Sequence, residues 1–452
     1  MRQNDTDIKT SFLRPAVSGL CLFFACLLGF YLSLVVAGAI PDTLIRDNLE
    51  SSAQTLSEEG DYPRILTGSE GGQLDNFTTA LMLNIIAHSS ANPFTSALMG
   101  EHYTDSDDNT LPTVEFAGSI TLDANTSYQR YWHGWLVILK PLLVFFDLTQ
   151  IRALFFLATT LLLVAAAALL CRRTSLLPAL ILAIGFCAVN YPIAAISLSF
   201  GFTFLIALIG TIYVLQKINP QAPVYSEMHF GIVFFMLGAT TVFFDFLDTP
   251  IITLGLPLLA YLLCRHREIG SMGFGAALIK TVRCCMAWGA AYFGLFAAKT
   301  LIVTVFLDPG TLESTIMAIN QRTSGAVTHL EISSYNSVYR NLRLLLPAWV
   351  RFWLVGALIV GAILLLVSLP PAQQRKLLIR PTALLLLVAA FPLIWYSVFA
   401  NHSITHYWFT YRDLVVSLVA FGFIFALWFD RGSLKARVQR LRGGSKAGCH
   451  GH

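Results

Sequence analysis

Residues 133–146 read HGWLVILKPLLVFF, an apolar run of 14 residues that stops at Asp147. A helix needs about 20 apolar residues to cross a bilayer, so this run is too short to span and suits a helix lying in the membrane interface. Trp132, Trp135 and Lys140 fit that position, because interfaces favour amphipathic rings and anchoring cations. The choice sets the side of every later segment. Counting the run as a span would put Arg172 and Arg173 outside, against the preference of Lys and Arg for the cytoplasmic face. The sequence therefore predicts an interfacial helix over 132–147.

Working outward, apolar runs of bilayer length lie near 16–40, 152–171, 175–190, 192–216, 229–247, 250–264, 284–306, 347–369, 381–399 and 414–429. The chain has 452 residues, of which 56% are hydrophobic and 12% charged, with 33 Phe. That balance excludes a soluble enzyme of this size. The expected class is an all-α polytopic membrane protein with about ten transmembrane helices. With the N-terminus inside, 19 of the 30 Lys and Arg fall on the cytoplasmic side, and only Asp5, Asp7, Glu227, Glu268 and Asp430 among the 26 acids join them. Both termini are then cytoplasmic. Because the cations sit in short segments between apolar runs, the net charge of +4 does not point to nucleic acid.

These assignments divide the chain into a cytoplasmic N-terminus (1–15), one transmembrane domain (16–429) and a basic cytoplasmic tail (430–452). The long polar segments face outward: a large loop over 41–131 between spans 1 and 2, a second over 307–346, and a third over 400–413. No cysteine lies in 41–131 or 308–346, so no disulfide framework is implied. The first run is longer than a signal-peptide core and reads as a retained span. The tail, which includes His450 and His452, reads as solvated.

The candidate site residues gather on the outward side. Asp75 follows Gly71 and Gly72 and opens a stretch of helical apolar spacing through Ile85; it fits a helix cap and equally a surface carboxylate able to take a proton. In YQRYWHGW, Arg130 and His133 lie three apart and would share a helical face toward a phosphate. In FFDFLDTP, Thr249 and Pro250 predict a helix start, while Asp245 and Asp248 stand at the edge of the hydrocarbon, where a carboxylate is a functional candidate. Lys299 lies about seven residues inside its span, within snorkelling distance of the surface or of a lipid-linked phosphate. In NHSITHYWFTYRD (401–413), His402 and His406 are four apart and Arg412 precedes the last span. Zinc would need a third ligand, and the loop offers none locally, so no metal is assigned. Imidazole and guanidinium donors suit phosphate better.

A large first outer loop, an interfacial helix, many spans, and the local motifs RYWHG, FDFLDTP and NHSITHYWFTYR together resemble the GT-C class of integral-membrane glycosyltransferases. The resemblance is architectural over most of the chain. It looks most like bacterial members that decorate cell-surface glycans. The resemblance implies a GT-C-like fold in the cytoplasmic membrane, a polyprenyl-phosphate sugar as co-substrate, and a glycan or lipid-linked acceptor. No cofactor is expected beyond that lipid-linked co-substrate, and dependence on a divalent metal is left open. Asp75 would be the catalytic base of an inverting transfer. Arg130, His133, Asp245, Asp248, Lys299, His402, His406 and Arg412 would bind substrate. In that class the base often belongs to an acidic doublet soon after the first span; here Asp42 and Asp47 stand alone, and Asp75 comes about 35 residues later.

Two other readings compete. A transporter or flippase of a lipid-linked glycan would carry polar groups deep in several spans or paired broken helices, and here they collect at one face. A membrane acyltransferase would use a histidine such as His402 or His406.

Overall fold

In lipid every backbone polar group must be satisfied within its own segment, and the chain meets this demand with helices almost throughout. The computed structural model describes residues 2–105, 112–218, 227–324, 331–346 and 348–447; His450, His452 and Cys449 lie outside them. The first run forms α1 (Arg2–Gly38). The segment 41–131 then folds into α2 (Arg46–Glu59), α3 (Asn76–His88), α4 (Pro93–Met99) and α5 (Pro112–Ser119), with an antiparallel pair of two-residue strands, β1 (Glu101–His102) and β2 (Thr126–Ser127). Next come α6 (Leu136–Leu143), α7 (Leu148–Arg173), α8 (Leu176–Ala188), α9 (Tyr191–Ile196), α10 (Leu198–Lys217), α11 (Glu227–Phe244) and α12 (Ile251–Cys264). The remainder comprises α13 (His266–Ser271), α14 (Phe274–Phe306), α15 (Thr311–Ser324), α16 (Ser334–Leu345), α17 (Ala348–Ser368), α18 (Ala372–Ala389), α19 (Phe391–Val398), α20 (Ala400–Thr405), α21 (Tyr407–Thr410), α22 (Val415–Trp428) and α23 (Arg431–Ala447).

Among the described residues, six helical segments are long and apolar enough to cross a membrane: Ser18–Gly38, Leu148–Arg173, Leu198–Lys217, Phe274–Phe306, Ala372–Val398 and Tyr407–Trp428. Three of the other apolar runs form shorter apolar helices, Leu176–Ala188, His229–Phe244 and Ile251–Cys264, and the fourth lies in α17. Their outward faces are as apolar as their inward ones. On α1, Leu20, Phe24, Leu28 and Leu32 recur every fourth residue and are exposed, while Leu34 and Ala37 are buried. A soluble helix shows the reverse, with a polar outer face, and such large exposed apolar area marks a surface that meets lipid. The chain is an integral membrane protein. Its helices pack mainly as α11 on α14, α10 on α12 and α7, and α18 on α22.

The segment 132–147 is helical only over Leu136–Leu143, and its anchors do not form a belt. Trp132, Trp135 and Lys140 are all buried. The Trp132 indole donates to the Leu295 carbonyl at 3.1 Å. Lys140 donates to the Gly38 carbonyl (3.0 Å), Asp42 (3.0 Å) and the Ser89 hydroxyl (2.8 Å), so all three ammonium protons are used. This clasp ties the end of α1 to α6 and to the end of α3. Lys140→Met removes one partner of Asp42, whose side chain is 33% exposed and also accepts from Ser90, together with the donor to the Gly38 carbonyl, a loss of about 1–3 kcal/mol. It is expected to lower the melting temperature of the detergent-solubilised protein by several degrees; an unchanged melting temperature would show that the clasp carries no stability.

The expected Thr249 cap does not form. Pro250 occupies the cap position of α12, and the Thr249 hydroxyl instead pairs with that of Thr203 at 2.8 Å, which joins the start of α12 to α10.

Candidate functional site

Asp75 is placed by a network that begins one residue later. Arg152 of α7 grips both carboxylate oxygens of Glu59 at 2.9 Å and the side-chain oxygen of Asn76 at 2.7 Å. Asn76 in turn donates to Glu59 and to the Gly60 carbonyl, both at 2.9 Å. The start of α3 is thereby fixed to α2 and α7. Asp75 caps it, accepting the Thr78 amide at 3.0 Å, while its own amide donates to Ser197 between α9 and α10. Cap and candidate base are the same residue. Burial holds its carboxyl above the usual carboxylate range, against the lowering effect of the Thr78 hydrogen bonds.

The turn between α11 and α12 supplies two more carboxylates with different surroundings. Asp245 accepts the amides of Leu247 and Asp248 and the Tyr292 hydroxyl, each at 3.0 Å, so it is spent on building the turn. Asp248 is 5% exposed, and its Oδ2 has no hydrogen-bond partner among the described residues. Burial pushes its carboxyl well above the ordinary range; the charges of Asp245 and Asp75 add to the rise, and Arg322 opposes it. A buried carboxylate oxygen without a donor is costly, and each such group calls for an explanation.

Arg322, on α15, is the cation that the sequence did not single out. Its guanidinium lies 5.6 Å over the Tyr131 ring and donates to His402 Nδ1 at 2.9 Å. With Arg130, Gln321, Asn401, His402, Thr405 and His406 it lines a cleft of about 250 Å³. The Arg130 guanidinium lies 5.9 Å from the Tyr128 ring centroid, and the charges of Arg322, Asp248 and Asp75 also act on the Tyr128 phenol. His406 stacks on Phe409 with ring centroids 5.2 Å apart, and burial, with Arg322 nearby, pushes its imidazole down to about 4. It is neutral at physiological pH. Beside Asp75, the exposed rings of Tyr62 and Phe77 stack in parallel at 6.0 Å.

Arg130 and His133 do not share a helical face, because α6 begins only at Leu136. Arg130 lines the cleft, whereas His133 is fully buried with both ring nitrogens unpartnered among the described residues. Its ring lies so close to Gly100 that a side chain there would collide with it, and Gly100 has a φ of +60° that also favours glycine. Burial, followed by the charge of Lys299, drives the His133 imidazole well below its usual value. Lys299 does not snorkel: it is buried, donates to the Tyr131 carbonyl, and lies 5.7 Å over the Trp132 ring. Arg412 is fully buried and donates to the carbonyls of Trp408 (3.0 Å) and Gly71 (2.8 Å), with Phe200 4.8 Å from its guanidinium carbon. It clasps backbone. Gly71 is required at that clasp, since a Cβ would sit 2.7 Å from the Tyr411 hydroxyl.

The structure thus brings together Arg130, His402 and His406 at one cleft and adds Arg322 to it; Asp75 and Asp248 are not among its lining residues, and Arg412 and Asp245 are left in structural contacts. The only sequence signal for Arg322 is isolation: no other Lys or Arg occurs between Lys299 and Arg340. Among the described residues, no group of three His, Cys, Asp or Glu side chains is arranged to hold a metal ion. No family model, curated protein or solved structure matches the chain.

Proposed function

We propose that this chain is a membrane glycosyltransferase of GT-C type with about ten spans and cytoplasmic termini, set in a bacterial cytoplasmic membrane. It moves a sugar from a polyprenyl-phosphate donor to a glycan or lipid-linked acceptor at the outer face. The reading is supported by two buried carboxylates, Asp75 and Asp248, whose charges act on the same Tyr128 phenol as those of the two cleft guanidiniums, Arg130 and Arg322. An inverting transfer needs opposite charges side by side. Asp75 takes the acceptor hydroxyl proton as the oxygen attacks the anomeric carbon. The bond from that carbon to the phosphate oxygen breaks, and the electron pair leaves on the phosphate, where Arg322 and Arg130 meet the growing charge. Asp248, with an oxygen free to accept, takes a hydroxyl of the donor sugar. The prenyl chain stays in the bilayer throughout.

The test uses membranes containing the full chain, supplied with radiolabelled polyprenyl-phosphate sugar. Label is expected to pass into a glycan or lipid acceptor only when the chain is present. Movement of the intact labelled lipid between leaflets without any transfer would favour the flippase reading instead.

A further inference from the structure

His402 is read in the sequence as a phosphate donor, yet both of its nitrogens are already engaged. Nε2 lies 2.9 Å from the Leu247 carbonyl, and Nδ1 lies 2.9 Å from Arg322. A guanidinium only donates and a carbonyl only accepts. The hydrogen bonds therefore define the ring's state: Nδ1 accepts, Nε2–H donates, and the imidazole is neutral. At 3% exposure the ring has neither a spare proton nor a free edge to offer a ligand.

What it holds is unusual. Leu247 has a φ of +73°, a left-handed conformation that side-chain-bearing residues avoid and that persists only where the surroundings enforce it. Asp245 fixes the turn from within through the Leu247 and Asp248 amides, and His402 fixes it from α20 through the carbonyl of the strained residue itself. The next residue is Asp248, whose Oδ2 is unpartnered and which feels the charge of Arg322. We infer that His402 is a positioning residue: Arg322 sets its tautomer, and the ring then pins the strained Leu247 carbonyl and so fixes the turn that carries Asp248. Arg322 retains further N–H groups for an anion, so one guanidinium both builds the turn and faces the cleft. The tautomer and the pinning stand on the hydrogen bonds alone, whereas their effect on transfer rests on the proposed function.

Nitrogen-15 NMR of the histidine-labelled full chain in lipid tests the first part, with the His402 signals identified by their loss in His402→Gln. At neutral pH the expected pattern is an unprotonated Nδ1 and a protonated Nε2, lost or redistributed in Arg322→Met. An imidazolium pattern, or a proton on Nδ1, overturns the inference. Kinetics test the second part. His402→Ala is expected to lower kcat/KM for the donor lipid about a hundredfold, as misplacing a substrate-holding group does; His402→Gln, whose amide can still donate to the Leu247 carbonyl, recovers most of it. A His402→Gln variant as impaired as His402→Ala would end the positioning role. Should the wild-type chain transfer no sugar, the proposed function fails while the NMR result still decides the tautomer.

Discussion

In membranes given a labelled polyprenyl-phosphate sugar, Asp75→Asn is expected to reduce transfer by about 10³-fold, within the range that a positioned general base contributes. Asparagine makes this a clean substitution because Asn and Asp cap helices about equally well. The amide oxygen can still accept from Thr78, so the start of α3 keeps its cap and the melting temperature should hold. Asp75→Ala would confound the two roles by also removing about 1 kcal/mol of capping. Burial raises the Asp75 carboxyl, and the reactive form of a base is the ionised one. Activity is therefore expected to be present above that raised value and to fall as pH drops through it, starting above the ordinary aspartate value of about 4. Full turnover in Asp75→Asn would remove Asp75 as the base.

Arg322→Met carries the second large expected effect. A hydrogen bond to a charged group contributes about 1.5–3 kcal/mol, so losing one guanidinium from the departing phosphate should lower kcat/KM for the donor by about 10- to 100-fold. Arg412→Met gives the contrast. That side chain donates to Gly71 and Trp408 from its two terminal nitrogens, so its loss should lower the melting temperature and leave the donor KM of the surviving folded protein near wild type. Donor titrations of both variants in the same lipid separate the roles. A raised donor KM in Arg412→Met with none in Arg322→Met would reverse them.

Much of the helical framework was legible because helix formation in lipid is a local requirement. Each of the ten apolar runs contains a helix, and the place where α3 starts was readable from Gly71, Gly72 and Asp75 alone. The polar contacts were not readable, because they join residues far apart in sequence. Arg322 meets His402 across 80 positions, and His402 meets Leu247 across 155. Sequence spacing suggested that Arg130 and His133 would act together and that Trp132, Trp135 and Lys140 would anchor at a surface. Tertiary packing instead separated the first pair and buried the other three. Arg412 reads in the sequence as a phosphate ligand, but a cation beside a span has two uses, and only the position of the Gly71 carbonyl decides between them.

The latch between Arg412 and Gly71 joins residues 341 positions apart, and Tyr407 meets Glu70 across 337. At about 5–20 residues per second during synthesis, the segment around Gly71 waits roughly twenty seconds to a minute for the partners that close over it. A nascent chain that stops short of Tyr407 has neither partner, and its segment around Gly71 is still unlatched. Protease resistance around Gly71 therefore reports that synthesis has passed Arg412.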